Sequence, residues 1–241
     1  MVLAVKQATT LTLSWALRWI ALFMTCNKAA ELELEGNDFA VYANRVVSMI
    51  HAAFSAVLAG KAALYYDGQG FLTYNLQGPN EPWHEAFLPV VAGYMVYDML
   101  WELMHSKSKP DLLVYAHHIL VAVTCWWSLW TGEHGKILAM TTFLSELTTP
   151  FLSAKYLLKH HKMADETLGL ANDAVFALGF LFFRCFWGSI FTLTVLLSGA
   201  HPFIMAGGMA MQSINYTWGL SIGKKIARFA KGDKADRHKS P

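Results

Sequence analysis

The sequence predicts an all-α fold: a polytopic membrane helical bundle of seven transmembrane helices. Composition, hydropathy and the recurrence of long apolar runs carry that prediction. Of 241 residues, 55% are hydrophobic and only 15% charged, against about 25% charged in an average soluble domain. The mean hydropathy is +0.33. Runs approaching the ~20 apolar residues that a membrane-crossing helix needs recur along the chain, separated by polar or turn-forming stretches. The same composition excludes a disordered chain, a coiled coil and a disulfide-stapled secreted domain. A net charge of +2 is too balanced for a nucleic-acid partner. Cys26, Cys125 and Cys185 sit in apolar runs and form neither a disulfide framework nor a zinc spacing.

Taken in order, the expected spans are Thr10–Cys26, Asn44–Leu64, His84–Met104, Leu112–Trp130, Gly135–Leu158, Leu168–Leu197 and Pro202–Ile222. The first is the least apolar because Arg18 lies in its middle. No small-x-small cleavage site precedes Asn27, so it reads as a retained anchor rather than a cleaved signal peptide. In the fifth, Pro150 removes the hydrogen bond to the Glu146 carbonyl and should kink the helix. The outer loop Tyr65–Trp83, rich in Gly, Asn, Pro and aromatics, reads as a structured cap at the interface. The sequon Asn215-Tyr-Thr falls inside the last span, where it would escape modification. Three regions follow: residues 1–40, an anchor helix with an acidic cytosolic loop; 41–223, a six-helix domain; and 224–241, a basic flexible cytosolic tail. No internal repeat supports an inverted-repeat transporter.

Lysine and arginine set the orientation. With the N-terminus outside, the cytosolic side holds fourteen of them, from Lys28 and Arg45 through Lys107, Lys155 and Lys159 to the tail. The outer side holds three, Lys6, Lys61 and Lys136. Such a bias obeys the positive-inside rule and places the N-terminus in the lumen and the C-terminus in the cytosol.

Ionisable side chains inside a bilayer are costly and mark function by default. Ser48 and His51 share a face of the second span at i, i+3 spacing. Tyr94, Asp98 and Glu102 form a stripe on the third. His117 and His118 enter on the fourth, and Asn172 and Asp173 on the sixth. By helix rise these groups fall at a common depth, roughly 6–11 Å below the cytosolic face. A carboxylate beside an imidazole fixes its tautomer and raises its basicity, which suits a general base or nucleophile. Ser48, His51, Tyr94, Asp98, His117 and His118 are therefore expected to converge on one cavity. Because adjacent residues point about 100° apart on a helix, only one of His117 and His118 can face its centre. Glu146 and Arg184 lie deeper, near the middle of the fifth and sixth spans, and are expected to pair, or Glu146 to be protonated.

Several chemistries are excluded. The last span has no lysine for a retinal Schiff base, since Lys224 comes only at its edge. No histidine has another three or four residues away, so no metal centre is expected. Neither a phosphate-binding glycine loop nor a Gly-x-Ser-x-Gly elbow occurs.

Five stretches then stand in order on successive helices: Arg45-Val-Val-Ser-Met-Ile-His51, Gly93-Tyr-Met-Val-Tyr-Asp98, His117-His118, Glu146-Leu-Thr-Thr-Pro-Phe151 and the segment from Asn172 to Arg184. On these the chain resembles the TLC-domain family, which includes ceramide synthases, translocation-associated membrane proteins, a ceroid-lipofuscinosis protein and smaller TLC-domain-containing proteins, the protein 4 type among them. The resemblance implies a six-helix domain around a lipid-sized cavity in an endomembrane such as the endoplasmic reticulum. Catalytic members transfer an acyl chain from acyl-CoA, which would be the co-substrate here with no tightly bound cofactor. Paired histidines are essential in ceramide synthases, so the resemblance assigns His117 and His118 a catalytic role. The synthases continue into an Asp-rich motif after the pair, whereas this chain continues Ile-Leu-Val-Ala-Val-Thr-Cys-Trp-Trp.

Three functions compete. In the first, an acyltransferase of lipid metabolism uses His117 or His118, with Asp98 and His51 orienting the imidazole. Ser48, Tyr94, Glu146, Asn172 and Arg184 would then hold substrate. The second is a lipid-binding, sensing or transport protein without chemistry. The third is an accessory subunit of a membrane complex. Membrane lipids are the expected partners in each, with a homodimer or membrane-complex partner as a further expectation.

Overall fold

A computed structural model describes residues 2–34, 38–64, 76, 78–105 and 111–230. Most of the expected cap loop, residues 35–37 of the acidic loop, Lys107, Lys109 and the tail beyond residue 230 lie outside them.

Among the described residues the fold is all-α, without strands. The helices are α1 (Val2–Glu33), α2 (Phe39–Leu64), α3 (Pro82–His105), α4 (Leu112–Thr131), α5 (Gly135–Glu146), α6 (Thr149–His160), α7 (Thr167–Gly179), α8 (Gly188–Leu197) and α9 (Pro202–Ala230). A π-helical segment, Phe180–Trp187, joins α7 to α8 in one rod. Four rods are long and apolar enough to cross a membrane: Phe39–Ala63, Pro82–His105, Leu112–Thr131 and Thr167–Leu197. The remaining three expected spans differ for physical reasons. Helices α1 and α9 are long but carry more polar residues, and the fifth apolar run is divided into two twelve-residue helices.

That division lies where the proline was expected to act. Helix α5 stops at Glu146, and Pro150 falls in the first turn of α6, where its missing N–H costs nothing.

Helix α3 is the centre of the bundle. Its residues from Phe87 to Met95 are continuously buried, and α1, α2, α4 and α5 pack on it. Gly93 permits the closest approach: a Cβ there would sit 2.6 Å from Trp15 Cβ and 2.7 Å from the Ala16 nitrogen. Small residues at such a crossing let two helix backbones meet. Trp19 completes the contact by donating its indole N–H to the Val90 carbonyl at 3.2 Å. Helix α6 packs beside α2 and α7 on α6, while α9 closes the far side against α4 and α8 packs on α9 and α5.

The outward faces are apolar. Phe54, Val57, Ile119, Leu178, Phe182, Leu193 and Leu220 are all exposed. A water-soluble surface does not carry apolar area on this scale, and a bilayer solvates it. The chain is an integral membrane protein.

Candidate functional site

The polar residues of α2 recur at 44, 48, 51 and 55, spacings that keep one face turned inward. Asn44 is its lowest member and is fully buried. Its amide donates to Asp98 Oδ1 at 3.0 Å and its carbonyl accepts from the Tyr97 hydroxyl at 2.6 Å. The other carboxylate oxygen, Asp98 Oδ2, lies 3.4 Å from His118 Nε2. Asp98 therefore joins α2, α3 and α4 at a single carboxylate and holds the His118 ring in one orientation.

One turn further along α2, His51 stacks on Tyr94, with ring centroids 3.6 Å apart and planes within 5°. The edge of Trp19 meets the same ring, and the Ser55 hydroxyl lies 3.3 Å from His51 Nδ1. Ser48 turns toward α6, where its hydroxyl accepts from Ser153 at 3.2 Å. These side chains form a closely packed polar seam between α1, α2, α3 and α6.

The open space lies elsewhere. A small cavity of about 70 Å³ lies between α3, α4, α5, α8 and α9. His117 is on its wall, together with Glu146, Gln212 and Asn215 and a largely apolar lining that includes Val91 and Phe191. Of the six residues expected to share one cavity, His117 alone lines it. The reason is rotational: on α4, His118 points at α3 while His117 points at α9, where its Nδ1 lies 3.2 Å from Met211 Sδ. The two imidazole centroids remain 5.6 Å apart, so seam and cavity are adjacent.

Arg184 is buried in the π-helical segment and makes no ion pair with Glu146. Its guanidinium donates to the Ser145 carbonyl at 2.5 Å, Thr149 Oγ1 at 2.9 Å and Thr148 Oγ1 at 3.1 Å. These groups belong to the break between α5 and α6. In an apolar medium, carbonyls released at a helix break require a donor, and Arg184 supplies it. The carbonyls of the π-helical segment are satisfied in turn by α9, since Gln212 Nε2 donates to Arg184 O at 3.2 Å. Glu146 Oε2 has no hydrogen-bond partner.

Asn172 stands apart from both seam and cavity. Its amide donates to the Phe151 carbonyl at 2.9 Å, and beside it Asp173 pairs with Lys155 at 2.6 Å, so this corner fastens α7 to α6. Among the described residues no group of three His, Cys, Asp or Glu side chains is placed to hold a metal ion.

Asn44, Tyr97, Gln212 and Asn215 are site residues that the sequence reading did not assign. Asn44 shares the period of Ser48 and His51, and Gln212 and Asn215 repeat at i, i+3 in an apolar run, so a search for neutral amides at helical spacing would have found them.

Comparison with known proteins adds two findings. The sequence matches the TLC domain family over residues 42–224. It is also similar to TLC domain-containing protein 4 A of Dictyostelium discoideum, 23% identical over 185 residues that cover 75% of this chain and 70% of the relative.

Proposed function

Because the chain belongs to the TLC-domain family, we propose that it is a seven-span membrane protein of lipid metabolism that transfers an acyl chain from acyl-CoA to a membrane lipid held in the α3–α4–α5–α8–α9 cavity. The observation that carries this reading is His117, an imidazole on the wall of a mainly apolar cavity within the bundle. The Met211 contact occupies Nδ1 and leaves Nε2 for a substrate. In the transfer, His117 takes the proton of the acceptor's nucleophilic group as that group attacks the thioester carbonyl. Collapse of the tetrahedral intermediate breaks the carbon–sulfur bond, and the imidazolium returns the proton to the departing thiolate. His118 and Asp98 act as positioning residues, fixing the turn of α4 on which His117 sits. The seven spans comprise the four long apolar rods together with α1, the α5–α6 rod and α9. The N-terminus is lumenal, the tail is cytosolic, and the membrane is that of the endoplasmic reticulum.

The test uses the full chain in nanodiscs with radiolabelled oleoyl-CoA and an endomembrane lipid extract. His117→Ala should abolish label transfer while the protein stays folded. Transfer that survives in His117→Ala refutes the assignment.

A second reading is a lipid-binding protein without chemistry. It is favoured by the partner of His117, a thioether rather than a carboxylate. Lipid that co-purifies at fixed stoichiometry without turnover would support it over acyl transfer.

A further inference from the structure

Asn44 is an amide whose two ends are sorted by its surroundings. It is 1% exposed, its Oδ1 accepts from the Tyr97 hydroxyl at 2.6 Å, and its Nδ2 donates to Asp98 Oδ1 at 3.0 Å. Turned over, the amide would set its oxygen against the Asp98 carboxylate, so carboxylate and tyrosine select the same orientation. Tyr97 and His118 are buried as well. Buried polar groups that find their partners specify one arrangement of the helices that carry them.

The bond to Asp98 acts across the bundle. Held from α2 through Oδ1, the carboxylate presents Oδ2 to α4, 3.4 Å from His118 Nε2. An unprotonated Nε2 would oppose its lone pair to those of the carboxylate, so Nε2 is the nitrogen that carries the proton. The His118 ring, turned to α3, fixes the rotation of α4 about its axis. Because adjacent helical residues point about 100° apart, that rotation is also what presents His117 to α9 and the cavity. The series Tyr97, Asn44, Asp98, His118 thus links α2, α3 and α4 and ends on the residue beside His117.

We propose that Asn44 is a positioning residue for His117: oriented by Tyr97, it sets the Asp98 carboxylate that fixes the tautomer and the facing of His118. This deepens the reading above and rests on His117 being the base of the transfer.

The test takes two readouts from the full chain in nanodiscs. Nitrogen NMR of isotope-labelled histidine reports which ring nitrogen holds the proton, with the His118 signals identified by their loss in His118→Gln. Label transfer from radiolabelled oleoyl-CoA reports the reaction. Wild-type His118 should be a single Nε2–H tautomer. Tyr97→Phe keeps the ring and removes the donor to Asn44, whereas Asn44→Asp keeps the shape and replaces the donor to Asp98 by an acceptor. Both variants should give His118 a mixture of tautomers while the remaining histidine signals stay in place. Transfer should fall about tenfold or more in Asn44→Asp and about fivefold in Tyr97→Phe, the scales of a charged and a neutral hydrogen bond. If Asn44→Asp does not fold, Tyr97→Phe decides. An Nδ1–H tautomer in the wild type, a His118 signal unchanged by the variants, or transfer undiminished by them overturns the role of Asn44 while His117 stands. A wild type that transfers no label overturns the acyl-transfer reading and the positioning role with it.

Discussion

Replacing Arg184 by methionine should expose the α5–α6 break as the weakest joint of the bundle. The substitution keeps the apolar stem and deletes three hydrogen bonds, to Ser145 O, Thr148 Oγ1 and Thr149 Oγ1. Bonds to a charged donor contribute roughly 1.5–3 kcal/mol each, a gross loss of about 4.5–9 kcal/mol. Two effects reduce it. The variant no longer desolvates a guanidinium, which offsets several kcal/mol, and the Ser145 carbonyl keeps its longer contacts from the Thr148 and Thr149 hydroxyls at 3.3 and 3.4 Å. A net destabilisation of about 3 kcal/mol follows, the lower end of the cost of breaking a buried charged network. Arg184→Lys should lose somewhat less, because a single ammonium cannot span all three acceptors. Glu146→Gln should cost less than about 1 kcal/mol, since no ion pair joins it to Arg184 and one of its oxygens bonds to nothing. The double variant should then be additive to within about 0.5 kcal/mol. Reversible unfolding in mixed micelles titrated with sodium dodecyl sulfate, followed by tryptophan fluorescence, measures all four. If Glu146→Gln costs as much as Arg184→Met and the double variant recovers more than about 2 kcal/mol, the two charges neutralise each other directly. The backbone-clamp account would then be wrong.

Further perturbations probe other parts of the molecule. Gly93→Ala should force α1 from α3 and cost about 1–3 kcal/mol by overpacking, whereas Gly208→Ala, with nothing within 4 Å of the added carbon, should leave the melting temperature unchanged; equal melting temperatures for both would remove the close-approach argument. His134, in the turn between α4 and α5, has its pKa lowered by burial, with Glu133 opposing the shift and His201 adding to it. Its unfolded counterpart takes up a proton near pH 6.5, so stability should fall as the pH drops below that value. His134→Asn tolerates the left-handed backbone at φ 66° and should flatten the decline between pH 7.5 and 5.5; an unchanged slope would assign the decline to another group. Protease applied to sealed microsomes should remove an epitope at the C-terminus and spare one at the N-terminus, and the reverse pattern would invert the orientation inferred from lysine and arginine.

The membrane class, the helical order and the place of the α5–α6 break were legible because each depends on residues close in sequence. Hydropathy is a sum over neighbouring residues, and Pro150 acts on a carbonyl four residues away. Position along each helix axis was legible for the same reason, and Asp98 and His118 do meet. Direction was not. Depth along a helix leaves rotation about its axis open, and rotation puts His118 in the packed seam and His117 on the cavity wall. Of the two alternatives expected for Glu146 and Arg184, direct pairing does not occur, because a carbonyl and two hydroxyls at the helix break together take the guanidinium. A carbonyl freed at a helix break leaves no mark in residue identity, so Ser145 O was invisible as a partner. Asn172 reads like a site residue by depth, yet the packing of α7 on α6 uses it to hold a carbonyl. By itself the sequence determined which segments are apolar, where they break and which polar side chains share a level. The tertiary structure alone decided which of those side chains meet one another and which meet open space, because that choice is made by the rotation and contact of helices far apart in the chain.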